Sequence, residues 1–183
     1  MSAHSRLAYL YLAYLSKPAG DRVLYRAIQR HRWHRILEIG VGSGQRALRM
    51  LGVAARHHAL DDLLYVGIDL FEARPAGSPG LSLKEAHRQF KARQFKAQLI
   101  PGDPYSALMR AANALPNIDL VVISAGQNAA SLAQAWFYFP RMLHAQSVVY
   151  QEQAGADGEL TLGIVERATI DSRAQKPHRR SVA

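Results

Sequence analysis

The sequence predicts an α/β fold, a Rossmann-like, doubly wound and mostly parallel sheet with helices on both faces. Three observations carry that expectation. Short apolar runs alternate with stretches of helical periodicity along most of the chain. The first apolar run, at 35–39, leads directly into a cluster of three glycines, Gly40, Gly42 and Gly44, and then into a helical pattern. The second and third runs end beside acids, Asp69 and Asp103. In such sheets ligands bind at the carboxyl ends of the strands, where strand order reverses. The residues just after each run are therefore where function should be sought.

The elements follow in order. Leu7, Leu10, Tyr11, Tyr14 and Leu15 recur at helical spacing and predict a helix over 5–16 docked on the body. A break at Lys17-Pro18-Ala19-Gly20 separates it from a helix over 21–31, with Asp21 placed in its first turn near exposed amides. A buried strand at 35–39 and a helix over 45–59 come next. A strand at 63–69 and a Pro/Gly/Ser loop at 74–80 precede a basic helix over 82–96. A short strand at 98–100, a helix over 104–114 and an apolar strand at 118–124 continue the alternation.

Residues 128–144 predict one helix, kinked at Pro140, with Leu132, Ala135, Trp136, Phe139 and Leu143 on one face. Of the aromatic run 136–139, some members should be core and one or two exposed. Strands at 147–153 and 159–171, joined by five residues, close the pattern.

Composition sets outer limits. At 183 residues the chain fits one domain, 1–171, in which 1–34 form N-terminal helices capping the sheet and 172–183 a mobile basic tail. An apolar fraction of 49% and a charged fraction of 20% exclude wholesale disorder. The absence of cysteine excludes disulfides, zinc–thiolate sites, iron–sulfur clusters and thiol nucleophiles. The apolar run 7–15 is shorter than the roughly eighteen residues a membrane span needs. It also lacks the small residues of a signal cleavage site, so the expectation is a cytoplasmic protein with no membrane partner.

The net charge of +9 is unevenly placed. Residues 22–35 hold five arginines and no acid, 84–96 five basic residues against Glu85, and 172–183 four basic residues and no acid. Either these are solvated faces, or they steer an anionic partner such as RNA.

The motifs at the strand ends read ILEIGVGSG, YVGIDL, LIPGDPYSAL and IDLVVIS. Glycines after the first strand let backbone amides approach a ligand closely. Glu38, two residues before the first of them, suits a cationic ligand and would repel a pyrophosphate. Asp69 can accept from both hydroxyls of a ribose. Asp103 can accept from an exocyclic amine, or cap the helix that follows. Asp119 opens a strand and is read as structural.

In order and spacing, these four motifs resemble those of class I S-adenosylmethionine-dependent methyltransferases over about 35–153. The resemblance implies S-adenosyl-L-methionine as cofactor, S-adenosyl-L-homocysteine as product and an unidentified methyl acceptor, a small molecule or RNA. It places Glu38, Gly40, Gly42, Ser43 and Gly44 at the methionine portion, Asp69 and Leu70 at the ribose, Gly102 and Asp103 at the adenine, and Ser124 toward the transferred methyl. The alternative is a basic nucleic-acid-binding protein on the same scaffold with weak or no activity.

The sequence departs from the family twice. The usual helix and sixth strand after strand five have no room, so the order 3-2-1-4-5-7 is expected, with 159–170 paired directly to strand five and an exposed edge open to a second copy of the chain. No metal-binding acid and no Asn/Asp-Pro-Pro-aromatic turn follows strand four. The remaining polar candidates are Ser124, Gln127, Asn128, Tyr11, Tyr14 and His144, none of them specific, and no catalytic residue is assigned. Tyr11 and Tyr14 are read as packing residues, His144 as a surface or capping residue near a helix end, and Asn128 equally as a helix N-cap.

Overall fold

A computed structural model describes residues 3–155 and 159–175. Among them runs a six-stranded sheet, β1 (Arg35–Ile39), β2 (Leu64–Asp69), β3 (Ala97–Pro101), β4 (Ile118–Ile123), β5 (Leu143–Ala154) and β6 (Leu160–Val165), in the order β3-β2-β1-β4-β5-β6. Every pairing is parallel except β5 with β6. The expected fold class and sheet order are found, with β6 in the place of the family's seventh strand.

Strand alternation builds two cores. Ile36, Tyr65, Leu120 and Val122 point to one face, where α2 (Arg22–His31), α3 (Gln45–Ala54) and α4 (Leu83–Ala92) cover them with Leu24, Ile28, Met50, Leu51 and Phe90. Leu37, Ile39, Val66, Ile68, Val121 and Ile123 point to the other. There α5 (Pro104–Ala111), α6 (Ala129–Ala135), α7 (Phe139–Met142) and α8 (Arg167–Gln175) supply Leu108, Leu132, Phe139 and Ile170, and the turn between α6 and α7 supplies Trp136. The doubly covered sheet explains why the central strands read as unbroken apolar runs.

Local chemistry sets the helix ends. Ser82 and Glu85 form a reciprocal capping box at the start of α4. Asp103 caps α5 ahead of Pro104, and Asn128 caps α6 through a 2.9 Å bond from the Ser131 amide. Asp119 accepts from the His34 and Arg35 amides at 3.0 and 2.9 Å, tying the start of β1 to the start of β4. This is the structural part expected of it.

Several expectations are corrected. The apolar stripe Leu7, Leu10, Tyr11, Tyr14 and Leu15 faces outward, each residue about half exposed or more. α1 (Ala3–Leu10) and the π-turn Tyr11–Leu15 instead dock through Tyr9, Leu12, Ala13 and Ser16. That set has the same i, i+3, i+4, i+7 spacing, so periodicity alone could not choose between them. Tyr11 and Tyr14 are accordingly not packing residues.

The helix expected over 128–144 is three pieces, α6, a 3-10 turn at Trp136–Tyr138 and α7, with Pro140 in the first turn of the last. Trp136 and Phe139 are buried and Phe137 is exposed, as the aromatic run required. His144 lies in β5, with its Nε2 3.1 Å from Asp119, and not at a helix end. The last strand stops at Val165, and α8 takes over at Arg167. The first four residues of the expected tail, 172–175, are therefore helical, and 176–183 lie outside the described residues.

Candidate functional site

A cavity of about 840 Å³ opens at the carboxyl ends of β1, β2, β4 and β5. Its floor is the turn after β1. Gly40 has φ of +91°, and a Cβ there would fall 2.8 Å from the Ser124 Cβ, so a side chain at this position would collide with the end of β4.

Glu38 sits at the bottom, 1% exposed. Its Oε2 accepts from the Tyr65 hydroxyl at 2.6 Å, while its Oε1 is buried with no hydrogen-bond partner. Burial pushes the carboxyl up to about 7, against the pull of Arg46 and the Tyr65 hydrogen bond.

Arg46, in the first turn of α3, dominates this end. Its Nε donates to Asp21 Oδ1 at 2.8 Å, its Nη1 to Ser124 Oγ at 3.0 Å and its Nη2 to Glu152 Oε1 at 2.7 Å. Nη1 also lies 3.9 Å from the unpartnered Glu38 oxygen. Glu152 Oε2 accepts from the Ala125 amide at 2.9 Å, and Ser124 Oγ donates to the Gly40 carbonyl at 2.7 Å. Three carboxylates thus share one guanidinium. Burial raises Asp21 despite the arginine, and burial opposes the Arg46 charge while the three acids sustain it. Arg49, which also lines the cavity, adds a second positive charge acting on Asp21.

The second acid centre lies at the end of β2. Asp69 Oδ2 accepts from the Gly42 amide at 2.8 Å, and Oδ1 from the Leu70 amide at 2.6 Å. Arg74 Nη2 stands 2.7 Å from the same Oδ2. That contact is an ion pair without hydrogen-bond alignment, and Nη2 is left without a directed partner.

The third acid, Asp103, is engaged as a cap. Its Oδ1 accepts from the Tyr105 and Ser106 amides and from Ser131 Oγ, and its Oδ2 from Ser106 Oγ. Burial alone would raise it, but the hydrogen bonds from Ser106 and Ser131 prevail and lower it to about 2. Only Oδ2 keeps acceptor capacity for a ligand.

No protein-family model and no curated protein matches the chain. Solved structures do. The calicheamicin methyltransferase CalS11 superposes with a TM-score of 0.57 at 15% identity, over 87% of this chain and 82% of that one. The fold is that of a class I methyltransferase. TomG, an O-methyltransferase of tomaymycin synthesis from Streptomyces achromogenes solved with S-adenosylmethionine, gives 0.53 at 14% identity over 84% of this chain and 66% of its own. The CurJ carbon methyltransferase gives 0.53 at 17%, over 85% of this chain, which spans only 40% of CurJ.

Within this methyltransferase fold, the cavity lining brings together Glu38, Gly40, Gly42, Ser43, Asp69, Leu70, Asp103 and Ser124. Gly44 and Gly102 stand outside it, Gly44 against Gln89 and Leu81 and Gly102 against Ser106. Gln127 and Asn128 line the cavity, whereas Tyr11, Tyr14 and His144 do not.

The sequence reading missed Arg46, Glu152 and Arg74, and misplaced the role of Asp21. Its carboxylate makes no cap bond to α2 and turns to Arg46 instead. Glu152 was legible as an acid at the end of a strand. Arg46 and Arg74 gave no comparable signal, because nothing local distinguishes an inward arginine from the chain's other arginines.

Proposed function

We propose that the protein is an S-adenosylmethionine-dependent methyltransferase acting on a small-molecule acceptor. The observation that carries this reading is the buried, unpartnered Glu38 Oε1 at the floor of the glycine turn, which calls for a cationic donor. An α-ammonium group is such a donor. When bound, the cofactor supplies an electrophilic methyl on a sulfonium sulfur and leaves as S-adenosylhomocysteine.

The chain's own residues divide the work. Glu38 and the backbone from Gly40 to Gly44 hold the amino-acid end, Asp69 the ribose and Asp103 Oδ2 the adenine amino group. Ser124, Gln127 and Asn128 line the side where an acceptor would meet the methyl. We assign no general base, so rate would come from in-line positioning and exclusion of water.

The RNA alternative rests on the basic stretches, and part of the first is spent internally. Arg22, Arg26 and Arg35 donate to the Ser16, Ala13 and Pro116 carbonyls. We therefore favour the small-molecule reading. For a second copy of the chain, the proposed contact is β6, an uncharged edge strand with Ile164 62% exposed. Ile164→Lys should shift any dimer seen by size-exclusion chromatography to monomer.

The deciding experiment titrates S-adenosylhomocysteine into the protein by calorimetry, with NADH in parallel. Saturable binding, weakened about a hundredfold in Asp69→Ala by loss of two charge-assisted hydrogen bonds, is expected. Binding of NADH alone, or of neither ligand by the folded wild type and the folded Arg74→Ala variant alike, overturns the reading.

A further inference from the structure

The ribose-binding acid is already occupied. Arg74 Nη2 lies 2.7 Å from Asp69 Oδ2, and both side chains are about nine-tenths buried. The guanidinium is fed in from the cavity wall by residues 74–81, of which Arg74, Pro75, Ser78 and Pro79 line the cavity. Nη1 is anchored behind, donating to the Leu81 carbonyl at 2.7 Å.

Gly80 makes room for it. A Cβ at Gly80 would lie 2.3 Å from the guanidinium carbon, and the glycine has φ of +147°. The position thus accommodates the arginine only because it has no side chain. The grip on Asp69 is nonetheless poor, since Nη2 is buried without an aligned acceptor. The directed hydrogen bonds of the guanidinium run from Nη1 to the Phe71 and Leu81 carbonyls, so its hold on Asp69 is by charge alone, one that a ligand with well-placed donors can displace.

We propose that Arg74 competes with the cofactor for Asp69. It holds the place where the ribose diol would sit, and a nucleoside enters by displacing it. This rests on the cofactor reading above and adds to it a built-in restraint on affinity. The apparent dissociation constant is the intrinsic one divided by the fraction of molecules in which Arg74 has left. Removing the arginine therefore strengthens binding, the opposite of what loss of a supporting or ligand-holding side chain does.

The test measures S-adenosylhomocysteine binding by calorimetry in the wild type, Arg74→Ala, Asp69→Ala and the double variant, with thermal melts to establish folding. Arg74→Ala is expected to tighten binding roughly three- to tenfold, through faster association in stopped flow. In the Asp69→Ala background the same substitution should give no gain. Gly80→Ala, which expels the guanidinium while leaving the arginine in the chain, should move binding in the same direction as Arg74→Ala. Wild-type binding with equal or weaker binding by a folded Arg74→Ala overturns the proposal and leaves the cofactor reading standing. Absence of binding in every folded variant, Arg74→Ala included, overturns both.

Discussion

Each end of the cavity pairs arginine with acid, and the two pairings are built differently. At the β1 end Arg46 is shared by Asp21, Glu38 and Glu152, with three aligned hydrogen bonds that run from α3 to the segment before α2, to Ser124 just past β4 and to β5. At the β2 end Arg74 meets a single acid, Asp69, over a glycine and without alignment, and its directed bonds go to the Phe71 and Leu81 carbonyls of its own loop. The first arginine cannot leave without stranding buried acids. The second can leave and expose one acid ready for a ligand. Identical functional groups thus act as a fixed strut in one place and as a removable plug in the other, and the number and direction of their hydrogen bonds make the difference.

The largest break in that comparison is expected from Arg46→Ala. It strands buried carboxylates, a change that costs about 3–5 kcal/mol when one partner of a buried pair is removed. For a domain of this size the melting temperature should fall by about 10 °C, whereas Arg74→Ala should lower it less, because Asp69 keeps the Gly42 and Leu70 amides as donors.

Asp119→Ala tests the opposite end of the sheet. It leaves the His34 and Arg35 amides unpaired, at a cost of about 1–3 kcal/mol. Chemical denaturation should register the loss, while ligand affinity stays unchanged.

Glu38 sharpens the comparison through pH. Burial raises its carboxyl from an ordinary 4.5 to about 7 in the folded protein. The folded state therefore holds this proton more tightly than the unfolded chain. Its stabilising contribution is full below pH 4.5 and is lost as pH rises through 7. Glu38→Gln should gain on the wild type in melts run from pH 5 to pH 8. Binding of an ammonium-bearing ligand at pH 7 should release about half a proton, measurable by calorimetry in buffers of differing ionisation enthalpy.

The smallest effect belongs to the exposed pair Lys96–Asp61, at 2.6 Å. Asp61→Ala should leave the denaturation midpoint where it was.

The alternation of runs made most of the sheet readable in advance, because apolar strands covered on both faces and glycine turns leave local marks. What failed was local ambiguity resolved by distant contacts. Two stripes of equal period competed in α1, and burial of Tyr9, Leu12 and Ala13 against the body decided between them. The strand expected to run to 171 ends at Val165 instead, since Glu166, Arg167 and Asp171 break the apolar run and Ile170 is drawn into the core beside Trp136 and Phe139 as part of a helix.

At the site, the acids at strand ends could be read and the arginines could not. A strand-end acid is placed by backbone topology. Arg46 and Arg74 are placed by what they meet across 106 and 5 residues of sequence.

The Arg46 strut also orders events in time. The glycine turn and Asp69 come from contiguous chain, but the strut closes only when Asp21 and Glu152, on far-separated segments, arrive at α3. Contacts of such long sequence separation carry the greatest loop-closure cost and tend to form late. As the chain emerges from the ribosome, the glycine turn and Asp69 are both present long before Glu152, the last member of the charge cluster. A molecule interrupted before β5 would carry Glu38 and Arg46 face to face, with one of the strut's far supports missing.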